Sequence, residues 1–189
     1  GVPIAGTVCS RTLKALRSRQ VQKKYGMHSW LDGEMIIGEP TDPNQINLCQ
    51  SHIMSFDKPR PDLRFYVFDY ALPSLKDMPF EERLEIAKHI VTETKDPSIY
   101  FLEHNQINSY DEFITFEEEA LELGYEGLML RNPLGRYKHN RATMLDNIIF
   151  KLKRFIDSEG LLIWLEEKNT NTNEMTRDER GYAKRSSAK

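Results

Sequence analysis

Four short runs of this sequence each place a charged residue or an aromatic ring within an apolar, strand-like setting. In chain order they are residues 31–34 (LDGE), 65–69 (FYVFD), 126–131 (EGLMLR) and 150–153 (FKLK). A polar residue costs less free energy in water than within such an apolar run, so the charged residues there are candidates for binding a ligand. The candidate ligand groups in these runs are two glutamates, two lysines and a stackable ring. Such a set is suited to binding a nucleoside triphosphate.

Strands outnumber helices in the predicted secondary structure, which indicates an α+β domain with mostly antiparallel sheets and flanking helices. Aromatic and β-branched residues favour a strand over 63–72, and the Asp32-Gly33 pair predicts a kink in a strand over 30–37. The other expected strands are 2–9, 99–102, 126–131 and 147–155, with 161–165 as a candidate for one more.

Two helices are predicted from apolar residues repeated at helical spacing. One covers 79–91 and begins with a proline, and the other covers 111–123 and stops at Gly124, a residue type that favours helix termination. The second half of 10–24 is expected to be helical as well. Residues 39–62 contain four prolines and many polar residues, so we expect a long surface loop there.

Composition and charge limit the possible classes of protein. The longest apolar runs are far too short to span a bilayer, so no membrane association is expected. Two cysteines and five scattered histidines form no metal-binding spacing, and free thiols are typical of a reducing cytoplasm. Residues 1–24 hold six basic and no acidic residues, whereas residues 76–126 hold 14 acidic and four basic ones. This distribution argues against a wrapped nucleic-acid binder but allows a local phosphate-binding face.

Glu34 and Glu126 are candidate ligands for a ribose hydroxyl or a hard cation. Glu34 follows an Asp-Gly turn among apolar residues, and Glu126 follows the predicted end of a helix at the start of a strand. Mg²⁺ takes few protein oxygens and keeps water or phosphate oxygens, so a single carboxylate at the mouth of a strand suits it. Each residue taken alone is more often an ordinary exposed glutamate.

Lys151 and Lys153 are two residues apart and therefore share one face of the predicted strand. Two ammonium groups on one face repel each other, and a bound phosphate would relieve that repulsion. A solvated face of the sheet is the competing interpretation of the same pattern.

Two further features are weaker indications of a ligand. Phe68 lies among other aromatic residues, and most such rings pack in a core while a minority stack on a nucleobase. Arg11, in the segment SRTLK (10–14), is suited to bidentate contact with a phosphate. A second basic cluster covers residues 137–141.

The order and spacing of these segments are more informative than any one of them. LDGEM, FYVFD, EGLMLR and FKLK resemble, in that order, the conserved nucleotidyltransferase motifs of ATP-dependent DNA ligases. SRTLK resembles the Ser-Arg segment that follows the nucleophile motif of these ligases. Residues 168–171 (KNTN) and 181–186 (GYAKRS) resemble the passage into the C-terminal OB domain of short, phage-type ligases.

The resemblance implies an ATP-grasp-like nucleotidyltransferase (adenylation) domain over 1–165, incomplete at its start. A linker and the beginning of an OB-type domain would then cover 166–189. Such enzymes transfer AMP from ATP to a lysine, then to the 5′-phosphate at a nick, and finally seal the nick. The implied ligands are ATP, Mg²⁺ (or Mn²⁺) and nicked double-stranded DNA. The implied state is a monomer in the cytoplasm of a bacterial or phage-infected cell.

The resemblance also assigns roles to individual residues. Glu34 would contact the ribose and assist in metal binding, Phe68 would stack on adenine, and Glu126 would help to hold the divalent metal. Three basic residues would be catalytic through contacts with the α-phosphate of ATP or with the AMP and nick phosphates: Lys151, Lys153 and Arg11.

One part of the family pattern is missing from this sequence. The nucleophile of these ligases lies in a Lys-x-Asp-Gly motif, whereas the single Asp-Gly pair here, Asp32-Gly33, has Trp30 in place of the lysine. We therefore expect a fragment that begins just after that motif and is inactive by itself. Two alternatives remain open: an RNA ligase or mRNA-capping nucleotidyltransferase, and a non-catalytic module that binds nucleotide or nucleic acid.

Overall fold

The computed structural model describes residues 2–155, 157, 159–167, 172–177 and 183–185, and it divides the chain into two compact units, Gly1–Arg154 and Phe155–Lys189. The helices and strands described in the first unit are β1 (Val2–Ile4), β2 (Thr7–Cys9), α1 (Arg19–Tyr25), β3 (Leu31–Ile37), α2 (Gln45–Ile53), β4 (Leu63–Tyr70), α3 (Phe80–Thr94), β5 (Ile99–Phe101), α4 (Tyr110–Glu122), β6 (Gly127–Arg131) and β7 (Ile149–Lys153). This mixture of helices and small sheets confirms the predicted α+β class.

A three-stranded sheet in the order β3-β4-β5 lies at the centre of the first unit. β3 and β4 are antiparallel, whereas β5 returns parallel to β4 after α3. Every second residue is buried along β3 from Leu31 and along β4 from Leu63. These buried side chains pack with Val21 of α1 and Ala87 of α3 in one hydrophobic core. The strands predicted over 30–37 and 63–72 are both present.

Capping residues account for the ends of two helices. Ser18 begins α1 by accepting a hydrogen bond from the backbone N–H of Val21 at 3.4 Å. Ser109 begins α4 in the same way, with the N–H of Glu112 at 3.1 Å. α4 ends just before Gly124, whose φ of +88° favours glycine, as predicted.

β6 and β7 form a second, two-stranded antiparallel sheet. Its register places Gly127 opposite Lys153 and Met129 opposite Lys151. The two lysines are exposed on one face, as predicted, while Leu128 on β6 is buried. α4 packs against β6 and covers part of this sheet.

Two predictions for the first unit are wrong. Residues 2–9 form two antiparallel strands rather than one, because the Ala5-Gly6 pair has positive φ values that reverse the chain. Residues 39–62 contain α2 rather than a continuous loop, since Cys49 and His52 bury one side of a helix that packs on β3. The remaining residues of α2 are largely polar, which conceals this buried side in the sequence.

The second unit is described only in part. Residues 161–165 are exposed and have no regular secondary structure, so the candidate strand there is wrong. β8 (Met175–Arg177) and β9 (Ala183–Arg185) form an antiparallel pair within 166–189, the segment expected to hold a linker and the start of an OB-type domain. Residues 168–171 and half of 181–186, which carry part of the resemblance, lie outside the described residues. The predicted boundary between 165 and 166 stays a prediction.

Candidate active site

Glu34 and Phe68 lie on adjacent strands of the central sheet. Glu34 is exposed and stands opposite Tyr66 in the register of β3 and β4. Burial alternates along β4, and Phe68, like Tyr66, is half-buried. The fold therefore places the two residues predicted to contact ribose and base on neighbouring strands of one sheet, with neither of them in the core.

A bulge in β4 contains Phe68. Asp32 pairs with Asp69 and Gly33 pairs with Val67, so Phe68 is the extra residue on its strand. Bulges bend a strand and redirect its side chains, and they are common beside active sites. A Cβ atom on Gly33 would lie 2.3 Å from a carbonyl oxygen of β4, so only glycine allows the two strands to approach this closely.

Glu126, Lys151 and Lys153 form one charged cluster, which we call the EKK cluster, at the edge of the β6–β7 sheet. Lys153 Nζ donates a hydrogen bond to Glu126 Oε2 at 3.1 Å, and Lys151 Nζ lies 3.6 Å from the same oxygen. The neighbouring Lys153, and to a lesser degree Lys151, hold the pKa of Glu126 below its ordinary value. The three side chains are 43–60% exposed, so solvent and ligands have access to them.

Gly127 allows the carboxylate of Glu126 to lie against the lysines. A Cβ atom on Gly127 would be 2.1 Å from the carbonyl oxygen of Leu152 on β7. The φ of Gly127 is +149°, a value that residues with side chains rarely adopt. At this end of β6, Glu126 thus supplies the carboxylate and Gly127 allows the close pairing with β7.

Arg11 occupies the tip of a tight turn that follows β2. The N–H of Ser10 donates to the carbonyl of Lys14 at 2.8 Å, and Leu13 has a positive φ of +58° within the turn. The Arg11 side chain is exposed. Within the described part of the chain, no ion pair joins it to the EKK cluster. Its contact with a phosphate therefore stays a prediction.

A buried charged network that the sequence-based reasoning did not assign connects the two sheets. Asp69 is 1% exposed and accepts hydrogen bonds from Arg83 Nε at 2.9 Å and from Arg83 Nη2 at 3.2 Å. It also accepts a hydrogen bond from Arg131 Nη2. The guanidinium of Arg131 lies 4.0 Å from the centre of the Phe80 ring, within range of a cation–π interaction.

The sequence contained a signal for this network. Every second residue of β4 is buried, and Asp69 follows Leu63, Phe65 and Val67 in this series. A carboxylate at a core position requires a buried cation or several hydrogen-bond donors. No local pattern in the sequence indicated that Arg83 and Arg131 would be the partners of Asp69.

A second polar contact joins β3 to the segment that follows β6. Tyr137 Oη donates a hydrogen bond to Asp32 Oδ2 at 2.8 Å, and the backbone N–H of Tyr137 donates to the carbonyl of Lys76. Burial raises the pKa of Asp32 and that of Tyr137. Lys138 is paired with Asp146 at 2.6 Å. The weaker basic cluster predicted over 137–141 is thus largely engaged in contacts within the fold.

A shallow, open depression beside the start of α4 contains none of the predicted site residues. Its lining includes Asp111, Glu112 and Glu119. Three carboxylates disfavour a polyphosphate. The β3–β4 face and the EKK cluster are therefore the candidate site.

The class of protein follows from the fold together with this arrangement. The structure of Chlorella virus DNA ligase-adenylate superimposes with a TM-score of 0.66 at 25% identity, covering 78% of this chain and 55% of that one. A structure from an analysis of Lig E DNA ligases superimposes with a TM-score of 0.66 at 18% identity, covering 95% of this chain and 70% of that one. The second likeness supports the fold alone. The chain thus contains an adenylation domain of the nucleotidyltransferase fold.

The family is shown by the sequence comparisons. The family model described as ATP dependent DNA ligase domain matches residues 8–153. The DNA ligase of African swine fever virus is 28% identical over 103 residues, which is 54% of this chain. This chain belongs to the ATP-dependent DNA ligase family, as the order of its motifs predicted. The matched segment spans only a quarter of the length of the viral protein.

Proposed function

We propose that this chain forms the ATP-binding part of a DNA ligase and that its four ordered segments supply the walls of the adenylate pocket. Phe68 stacks on adenine and Glu34 contacts the ribose, while the lysines of the EKK cluster contact the α-phosphate. The observation that carries this proposal is the EKK cluster itself. Two exposed lysines held on one face of a strand, beside a single carboxylate, offer ligands for a phosphate and for its metal.

Glu126 is the proposed ligand of Mg²⁺ (or Mn²⁺), with Glu34 as a second carboxylate. The described residues contain no group of three or more side chains that could hold a metal ion alone. A lone exposed carboxylate fits Mg²⁺, which is usually held by one or two carboxylates together with substrate phosphates and water. When bound, the metal neutralises negative charge on the phosphate oxygens.

The ion pairs of Glu126 imply that metal and nucleotide assist each other in binding. Glu126 neutralises the lysines that the phosphate requires, and the lysines in turn repel a cation approaching Glu126. A phosphate on the lysines and a metal on the carboxylate remove both conflicts together. We therefore expect ATP to bind more tightly with Mg²⁺ than without it.

In the proposed reaction a lysine takes AMP from ATP with release of pyrophosphate, and the AMP then passes to the 5′-phosphate of a nick, which frees the lysine. The neighbouring 3′-hydroxyl finally displaces AMP and seals the nick. Lys151 and Lys153 position the α-phosphate and stabilise the charge that develops on its oxygens. Arg11 is the proposed contact of the AMP or nick phosphate. The sequence contains no Lys-x-Asp-Gly motif, so the reacting lysine is not assigned to any of its residues.

ATP binding by the purified chain tests the proposal. We expect isothermal titration calorimetry to show that Lys151→Ala weakens the affinity for ATP and Mg²⁺ about 10- to 100-fold, the effect of losing a charge-assisted hydrogen bond. Lys151 is 60% exposed, so the far-UV circular dichroism spectrum should not change. Lys58→Ala removes another exposed lysine and serves as the control. Unchanged affinity in Lys151→Ala contradicts the phosphate role, and no ATP binding by the unsubstituted chain contradicts the function.

Nicked double-stranded DNA is the proposed substrate of the intact protein, which we propose to act as a monomer in the cytoplasm of a bacterial or virus-infected cell. No described helix is long and apolar enough to cross a membrane. Sealing of a labelled nick in DNA and in RNA by the intact protein tests the choice of substrate. Sealing of RNA alone contradicts the proposal. Lys151→Ala in the same protein should also lose the covalent AMP adduct.

A further inference from the structure

The two halves of the proposed ATP site lie on different sheets, and one ion pair joins the strands that carry them. Phe68 belongs to β4, whereas Glu126 directly precedes β6. Asp69 follows the bulged Phe68, and Arg131 is the last residue of β6. The bond between Asp69 and Arg131 therefore connects the strand of the base site to the strand of the metal and phosphate site.

Arg83 and Arg131 bind the same carboxylate but differ in their surroundings. Arg83 lies on α3, which packs against β4, and its guanidinium also donates to the carbonyls of Met78 and Gly135. Arg83 is fully buried and held by several acceptors. Arg131 is 12% exposed, and its Nε has no hydrogen-bond partner among the described residues. Arg83 is therefore part of the packed core, whereas Arg131 is a link between sheets.

We propose that Arg131 is a positioning residue of the ATP site, which acts through Asp69 to fix the base-binding half relative to the phosphate-binding half. This inference rests on the proposed function. The described contacts of the Arg131 side chain are with Asp69 and the Phe80 ring, and neither is a proposed ligand of ATP. Its effect on binding is therefore indirect.

A ligand that spans both halves is sensitive to their spacing, whereas a ligand of one half is not. ATP engages the base and ribose contacts and the phosphate contacts together, so the second set of contacts forms at high effective concentration. Adenosine engages only the first half, and inorganic tripolyphosphate only the second. Loss of the link should weaken ATP binding much more than the binding of either fragment.

Arg131→Gln in the purified 189-residue chain tests this role. Asp69 keeps both hydrogen bonds from Arg83 in this variant, so the buried carboxylate stays paired and the fold is retained. We expect the Kd of ATP to rise about tenfold or more, while the Kd values of adenosine and tripolyphosphate change less than about twofold. Arg131→Lys keeps the charge but not the planar fork and should recover part of the affinity. Arg136→Gln removes an exposed arginine from the segment after β6 and is the matched control.

The possible outcomes separate this role from a general structural one. If Arg131→Gln weakens the binding of ATP, adenosine and tripolyphosphate equally, the positioning role is overturned, because the site as a whole has been lost. Unchanged ATP affinity overturns it as well. If far-UV circular dichroism shows that Arg131→Gln is unfolded, Arg131→Lys provides the same three-ligand comparison. If the unsubstituted chain binds none of the three ligands, the proposed function fails and the inference falls with it.

Discussion

Replacement of Arg83 by methionine is expected to destabilise the first unit through its buried partner, Asp69. Arg83 is fully buried and supplies two of the three arginine hydrogen bonds that Asp69 accepts. Removing one member of a buried ion pair costs about 3–5 kcal/mol, because the other charge stays in the interior. Asp69 would keep Arg131 and the backbone N–H of Tyr70 at 2.8 Å, so we expect the lower end of that range, about 3 kcal/mol. The corresponding fall in Tm is about 6–12 °C.

Equilibrium unfolding in urea, followed by far-UV circular dichroism, measures this change at an unaltered m value. Arg19→Met is the control, since it removes an exposed ion pair with Asp57 whose side chains are 76% and 68% exposed, and it should leave the midpoint almost unchanged. In an Asp69→Asn background, Arg83→Met should cost less, because no buried charge is left unpaired. The reasoning is refuted if Arg83→Met shifts the midpoint no more than Arg19→Met does.

Three further predictions address the site and the fold. Gly127→Ala should disrupt the β6–β7 pair and weaken ATP binding, because the added Cβ would lie 2.1 Å from a carbonyl oxygen; unchanged hydrogen-exchange protection of β6 and β7 would argue against this. Glu126→Gln should tighten ATP binding about two- to fivefold without Mg²⁺, because it frees both lysines. In the same variant, calorimetry should show that Mg²⁺ no longer increases the affinity for ATP. If Mg²⁺ still increases that affinity, Glu126 is excluded as the metal ligand. Burial lowers the pKa of His52 below 6.5, so its contribution to stability is complete above about pH 6.5 and decreases as the pH falls towards the pKa of the folded state. Urea midpoints between about pH 5 and 8 should show this decrease, and His52→Gln should reduce it; equal slopes in both proteins would contradict the assignment.

Local sequence patterns were sufficient for the strands that carry the site residues. The face on which a strand residue lies depends only on its position along the strand, so the common face of Lys151 and Lys153 was predictable. The glycine after Asp32 likewise predicted an irregularity that the register of β3 and β4 confirms. The order of the four segments then predicted the family, which the family model confirms over residues 8–153.

The errors arose where tertiary packing outweighed local preference. The helix α2 forms in a polar, proline-containing segment because the buried residues Cys49 and His52 pack it against the sheet. The reversal at Ala5-Gly6 depends on positive φ values at two residues, of which only the glycine is an expected site. Neither feature has a clear periodic signal in the sequence.

The sequence by itself determined which chemical groups the site contains. The reason is that the type of a residue, and the face of a strand on which it lies, depend only on the local sequence. Only the tertiary structure decided which of these groups meet. It placed Glu126 between two lysines and joined Asp69 to Arg83 and Arg131. These pairs connect residues that are separated in the chain. Their contacts depend on the pairing of β6 with β7, on the packing of α3 against β4 and, for Asp69 and Arg131, on the packing of two sheets. The physical reason is that such contacts follow from long-range packing, which no local pattern of residues records.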